Sequence, residues 1–206
     1  MAIDFDILLI TDRRSVPEDS FFFRLRGALH AGVRSVQLRE KDLSTGELTR
    51  YALKIRKMTR KHNAHLYIND RVDVAMAVEA DGVHLGGMSI PVKAVRKITG
   101  KAFRIGVSTH SLKEAADAQN EAADFITFGP VYETPSKMRY GRPLGIDMLR
   151  TIVNSMQIPV YAIGGINSKN IRDVMKTGVR GAAMISAIFG ADDVEQKTKD
   201  IVRLIQ

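Results

Sequence analysis

Arg39 and Lys41 are the residues of this chain best placed by type and spacing to do chemistry. They close the run Ser35-Val36-Gln37-Leu38-Arg39-Glu40-Lys41, whose apolar alternation reads as a strand. Two residues apart, their side chains leave the same face if the strand geometry persists, which makes a cation pair at a strand mouth. Such a pair suits a di-anionic group such as a pyrophosphate, whereas taken alone it reads more readily as an ordinary solvated strand-to-helix loop. The question is whether other strands end in compatible chemistry.

They do. Going along the chain, each short apolar run ends in polar or glycine residues and is followed by a helical pattern. Strands are expected at Ile7–Thr11, Val33–Arg39, His65–Ile68, Gly82–Leu85, Phe103–Val107, Phe125–Phe128, Pro159–Ile163 and Gly181–Ile185. Between them, Phe21 to His30 reads as a helix. Ser44 with Glu47, and Ser111 with Glu114, read as capping boxes, and Pro91 suits a first helical turn. Val131 to Gly145, rich in Thr, Pro, Ser, Lys, Arg and Gly, reads as a long loop, and long loops in compact domains tend to be functional or disordered.

Eight strands alternating with helices, without a linker or composition break, predict one α/β domain over residues 1–206, a (β/α)8 TIM barrel. At 206 residues it is short for a fold that usually takes about 250. The competing doubly wound sheet lacks its glycine-rich dinucleotide fingerprint. In a barrel every strand's C-terminal end opens on one face. That face would gather Arg39 and Lys41, Asn69 and Asp70, Ser108 and His110, Thr134, Ser136 and Lys137, Gly164 and Gly165, and Ile185 and Ser186. Glycines after the seventh strand and backbone N–H groups after the eighth suit a phosphate. Asp70 is the one obvious acid among these ends, and Mg2+ shared with phosphate oxygens would suit it. His84, inside a strand, reads as structural, and His110 as an acid or base. Each position also has a bland reading: a helix cap at Asn69-Asp70 or Ser186, a tight turn at Gly164-Gly165.

Composition narrows the classes. There are no cysteines, which excludes disulfides, thiolate metal sites and a cysteine nucleophile, and no zinc-type ligand spacing occurs. The net charge of +8 is spread over helical stretches such as Lys54, Arg56, Lys57, Arg60 and Lys61. With aromatic residues at 6% and no tryptophan, it reads as a solvated face that attracts anionic substrates, not as a nucleic-acid surface. Asp4, Asp6 and Asp12 around Ile7–Ile10 do not resemble a signal peptide, and no stretch is long enough to span a bilayer. A soluble cytoplasmic protein is expected, with no nucleic-acid or membrane partner. The oligomeric state stays open, a homo-oligomer included.

With these residues in hand, the chain resembles the thiamine phosphate synthase family, which includes the thiazole tautomerase branch. The likeness is carried over essentially the whole chain by Gln37-Leu38-Arg39-Glu40-Lys41, Asn69-Asp70, Asp81-Gly82-Val83-His84-Leu85-Gly86, Gly106-Val107-Ser108-Thr109-His110-Ser111, Gly129-Pro130-Val131-Tyr132-Glu133-Thr134-Pro135-Ser136-Lys137, Ile163-Gly164-Gly165-Ile166 and Ile185-Ser186-Ala187-Ile188. The resemblance implies a barrel that joins hydroxymethylpyrimidine diphosphate to thiazole phosphate. By it, Gln37, Arg39, Lys41, Asn69, Ser108 and Lys137 contact the pyrimidine diphosphate, and Asp70 is a Mg2+ ligand. Thr134, Pro135, Ser136, Gly165, Ile185 and Ser186 then face the thiazole phosphate.

One position departs from the pattern: Gly87-Met88-Ser89 stands where the synthases carry an acid as second Mg2+ ligand, so Ser89 puts that ligand in doubt. Two further readings follow. One is a tautomerase with His110 as proton shuttle, and the other a catalytically silent barrel that binds thiazole or thiamine phosphate. The retained diphosphate contacts favour the synthase.

Overall fold

The computed structural model describes residues 3–134 and 143–205. Eight parallel strands close into a barrel in chain order: β1 Ile7–Ile10, β2 Ser35–Leu38, β3 His65–Asn69, β4 Gly82–Leu85, β5 Arg104–Thr109, β6 Phe125–Phe128, β7 Val160–Ile163 and β8 Gly181–Met184. The helices among the described residues are α1 Phe21–His30, α2 Thr45–Lys61, α3 Val72–Ala77, α4 Val92–Thr99, α5 Leu112–Asn120, α6 Gly145–Ser155, α7 Ile171–Met175, α8 Ser186–Phe189 and α9 Val194–Ile205. None of them is long and apolar enough to cross a membrane.

Period-two alternation sorts each strand into an inner and an outer set. Val36, Leu38, Leu66, Ile68, Val83, Leu85, Ile105, Ile126 and Ala162 pack outward, with α1 residues such as Leu25 and Leu29 in the same core. The inward set forms a separate cluster of Phe5, Leu8, Ile10, Tyr67, Phe125, Tyr161 and Ala183. Phe5 stacks on Tyr161 with ring centroids 4.9 Å apart, and Phe125 meets Tyr67 edge-on at 5.3 Å. Gly106 makes room for this plug, since a Cβ there would lie 2.3 Å from Phe125 and 2.7 Å from His84. Aromatic residues thus fill the lower barrel. Above them the inward positions turn polar: Gln37, Asn69, His84, Ser108 and Thr127.

The lower rim is tied by a repeated device. Asp81, just before β4, accepts the backbone N–H of Leu66 at 2.7 Å and pairs with Arg56 of α2 at 2.6 Å. Asp124, just before β6, accepts from Ile105 N–H at 2.6 Å and pairs with Arg96 of α4 at 2.6 Å. Each carboxylate therefore fastens a strand, its neighbour and a helix at one point. Burial alone would raise the Asp81 carboxyl, but hydrogen bonds from His65, Leu66 N–H and Arg56 outweigh it and bring it down to about 2 from 3.8. A lowered acid stabilises the fold above the unfolded pKa and loses that contribution as pH falls through the folded one. Asp81→Asn is therefore expected to cost about 2 kcal/mol at neutral pH. It should also flatten the loss of stability between about pH 4 and pH 2, as read by urea melts at several pH values. An unchanged acid limb would refute this assignment. His65 has the opposite sign. Its hydrogen bond to Asp81 raises it above 6.5 against the effect of burial, so its contribution is present at lower pH and fades as pH rises through the raised value.

Several expectations need correction. The second strand runs Ser35–Leu38, not Val33–Arg39, so Arg39 and Lys41 lie just past its end; exposure nonetheless alternates through Arg39, Glu40 and Lys41. The fifth strand runs to Thr109, which puts Ser108 inside it. Ser44 and Glu47 form a complete capping box. At the second site only half forms: Ser111 Oγ accepts from Glu114 N at 3.2 Å, while the Glu114 carboxylate takes the backbone N–H of His110 at 2.7 Å. The described start of the long loop is ordered against the seventh strand's exit, with Val131 N donating to Ile163 O at 2.9 Å and Tyr132 N to Gly164 O at 3.1 Å.

Candidate active site

Because all eight strands are parallel and the barrel is closed, the residues at their C-terminal ends share one rim. Gln37, 2% exposed, sits at the end of β2, and its Nε2 donates to Asn69 Oδ1 at 3.0 Å. Asn69 Nδ2 in turn donates to Asp70 Oδ2 at 2.7 Å. The other Asp70 oxygen accepts from Gly86 N at 3.2 Å and from the Ser89 hydroxyl. A directed relay thus runs from β2 across β3 to the loop after β4, and Asp70 orients Asn69, which orients Gln37. Gln37 Oε1 is left buried with no hydrogen-bond partner among the described residues, an acceptor suited to a substrate N–H.

This relay overturns the capping reading of Asn69-Asp70. Helix α3 has no side-chain cap, and Asp70, at φ 60°, turns its carboxylate toward Asn69, Gly86 and Ser89. Ser186 likewise opens α8 as its first residue and makes no capping bond.

Ser108 and the two residues it approaches form the next sector. Its Oγ lies 3.5 Å from Thr127 Oγ1, which lies 3.5 Å from His84 Nε2. His84 is 2% exposed, and burial pulls its imidazole down to about 4, with Asp70 acting to raise it and Arg39 to lower it. It is neutral at physiological pH, which agrees with its structural reading. His110 is exposed on the rim, and its Nδ1 bonds to the Gly129 carbonyl oxygen. In the neutral ring this leaves Nε2 as the free acceptor.

On the opposite side, Gly164 and Gly165 adopt φ 98° and 65°. A Cβ on Gly165 would lie 2.5 Å from Glu133 O and 2.7 Å from Tyr132 Cβ. The tight turn is therefore also a seat for the segment leading to half-buried Thr134, and only glycine allows both the conformation and the approach. Half-buried Ile185 and exposed Ser186 follow β8. Pro135, Ser136 and Lys137 lie outside the described residues.

The arrangement therefore brings Gln37, Asn69, Asp70 and Ser89 into one bonded group. It sets Ser108 beside Thr127 and seats the Thr134 segment against Gly165. Arg39 and Lys41 stand exposed on the same rim. Thr11 and Glu40 went unnoticed in the sequence. Thr11 Oγ1 donates to Glu40 Oε1 at 2.6 Å and accepts from Arg39 N at 3.0 Å. The available signal was alternation, since a residue between two exposed cations lies on the opposite face of the chain from them. A groove of about 530 Å3 lies at the other end of the barrel, lined by Asp6, Met156, Pro159 and Arg180 among others, and one of about 500 Å3 is lined by Ser186, Ala187 and Lys197 among others.

Residues 7–188 match the family profile described as thiamine monophosphate synthase. The thiamine-phosphate synthase of Pyrococcus furiosus is 42% identical over 200 residues, covering 97% of this chain and 94% of that protein. That of Clostridium acetobutylicum is 39% identical over 204 residues, covering 98% and 96%. Among solved structures, thiamine phosphate pyrophosphorylase from Pyrococcus furiosus has a TM-score of 0.90 at 41% identity, covering 98% of this chain and 95% of that one. A 3-hexulose-6-phosphate synthase with a TM-score of 0.67 at 17% identity shares the fold alone. On matches of this extent, with the rim chemistry in place, the chain belongs to the thiamine monophosphate synthase family.

Proposed function

We propose that this protein is a thiamine-phosphate synthase, a transferase that joins a hydroxymethylpyrimidine diphosphate to a thiazole phosphate. The C–O bond between the pyrimidine methylene and the diphosphate breaks, and its electron pair leaves with pyrophosphate. The lone pair of the thiazole ring nitrogen forms the new C–N bond, giving thiamine phosphate. No protein nucleophile is needed. The chain's task is to hold the two reactants in line and to stabilise the charge that develops on the departing diphosphate.

Arg39 and Lys41, together with Lys137, bind that diphosphate. Gln37 Oε1 accepts an N–H of the aminopyrimidine, and Asn69 and Ser108 complete its polar surroundings. Thr134, Pro135, Ser136, Gly165, Ile185 and Ser186 make the thiazole-phosphate side. Asp70 fits a Mg2+ ion as a single carboxylate, with the Ser89 hydroxyl as a neutral oxygen beside it; Mg2+ accepts one or two carboxylates when substrate phosphates supply further oxygens. When bound, the ion would neutralise charge on the diphosphate.

The observation that carries this reading is the relay Gln37–Asn69–Asp70 on the rim that also bears two exposed cations, in a chain about 40% identical to named synthases. The test is thiamine phosphate formation by the purified protein given both substrates and Mg2+, with stoichiometric pyrophosphate release. Turnover is expected. The His110 geometry favours one second reading, a thiazole tautomerase in which Nε2 moves the proton. Loss of thiazole isomerisation in His110→Asn, in a protein that makes no thiamine phosphate, would establish that reading instead.

A further inference from the structure

Glu40 lies between the two rim cations in sequence and faces the other way. Its side chain is 2% exposed, while Arg39 and Lys41 are exposed. Its Oε1 accepts from Thr11 Oγ1 at 2.6 Å, and Oε1 and Oε2 lie 3.1 and 3.2 Å from the backbone N of Arg13. Thr11, fully buried beyond the end of β1, completes the link from the other side. Its Oγ1 accepts from Arg39 N at 3.0 Å, and its own N–H donates to Gln37 O at 3.0 Å. Outside this pair, Asp42 binds Arg13 and, at 3.0 Å, Arg14, so that the β1 and β2 exits are joined at two depths.

A buried carboxylate is an expensive way to fill space, because its desolvation must be offset by hydrogen bonds that an apolar side chain would not need. Burial does raise the Glu40 carboxyl, while Thr11 and the Arg13 N–H act to lower it. What a carboxylate offers here is two acceptor oxygens that grip both the Thr11 hydroxyl and the Arg13 backbone. Its grip on Thr11 in turn orients the hydroxyl lone pair that holds Arg39 N. The main chain carrying the rim cations is thereby fixed before any ligand arrives. Preorganisation of this kind lowers the ordering cost of binding for long, flexible cationic side chains.

We propose that Thr11 and Glu40 are positioning residues that lock the β2 exit so that Arg39 and Lys41 are presented together to the diphosphate. The proposal rests on the reading of those two cations as the diphosphate-binding groups. It has a sign that distinguishes it from simple electrostatics. Removing a negative charge beside two cations would tighten diphosphate binding through space, whereas releasing the lock weakens it.

The experiment is steady-state kinetics with each substrate varied in turn for wild type, Glu40→Gln, Thr11→Val, Thr11→Ser and Arg39→Ala, with thermal melts to confirm folding. Glu40→Gln and Thr11→Val are expected to raise KM for the pyrimidine diphosphate on the order of ten-fold, the scale of one charge-assisted hydrogen bond. KM for the thiazole phosphate should stay unchanged, and Thr11→Ser, which keeps the hydroxyl, should stay near wild type. Equal changes in both KM values, no change, or a lower diphosphate KM in Glu40→Gln would overturn the proposal. If Glu40→Gln fails to fold, the Thr11→Val and Thr11→Ser pair decides by the same criteria. Arg39→Ala separates the two levels. If it raises the diphosphate KM and the lock variants do not, the lock alone fails; if it too has no effect, the cation reading fails and takes the lock with it.

Discussion

Arg39→Ala is expected to lower kcat/KM for the pyrimidine diphosphate by about 10²–10³-fold, the cost of removing one preorganised group aimed at developing charge. The residue is exposed at the end of β2 and forms no ion pair among the described residues, so truncation breaks no structural contact described above. The melting temperature should therefore move by no more than about 1–2 °C, as for other surface changes in a chain of this size. Bond breaking loads negative charge onto the diphosphate while the thiazole phosphate keeps its own, so the loss should fall on the pyrimidine substrate and on kcat. Parallel kinetics with both substrates, alongside a thermal melt, check this. A loss below about three-fold would remove Arg39 from the reaction.

The lower rim should respond in the opposite way. Arg96 Nη1 donates to Gly100 O at 2.9 Å and to Phe103 O, and its Nη2 to Ala122 O at 2.9 Å and Asp124 Oδ2 at 2.6 Å. One side chain thus satisfies the carbonyls that end α4, precede β5 and follow α5, and holds the carboxylate that binds Ile105 N–H. Arg96→Ala removes the donor to all three carbonyls together and leaves the Asp124 carboxylate with Ile105 N–H alone among the described residues. The expected cost is about 3 kcal/mol, or a fall in melting temperature of roughly 6–12 °C for a protein of this length. The turnover number of the protein that remains folded at 25 °C should stay at the wild-type value, because none of these atoms lies on the upper rim. A drop in kcat equal to that of Arg39→Ala would show that the two rims are not independent.

Much of this division was legible in the chain before any geometry. The β4 and β6 strands run over the expected residues, as does α1, because their apolar runs are bounded by residues with local stopping power. The polar inward positions near the upper rim, Gln37, Asn69 and Ser108, follow from alternation once the barrel is assumed. What was not legible depends on partners far away in sequence. Strand β5 extends past Val107 because Ser108 and Thr109 find ladder partners in Thr127 and Phe128, which no local window contains. Glu114 abandons its expected cap for the His110 N–H, a choice set by where the strand delivers that amide. The Thr11–Glu40 bond joins residues 29 apart, which no local window contains.

The seam between β1 and β8 pairs Leu8 with Ala183 and so brings the first and last strands of the fold side by side. On the ribosome the rim residues from Gln37 to Ser108 emerge before Ile185 and Ser186. Any sheet formed before β8 emerges has two unpaired edges, at β1 and at β7. A chain that loses β8 would lose the closure of the sheet and the seat of Ile185 and Ser186 together.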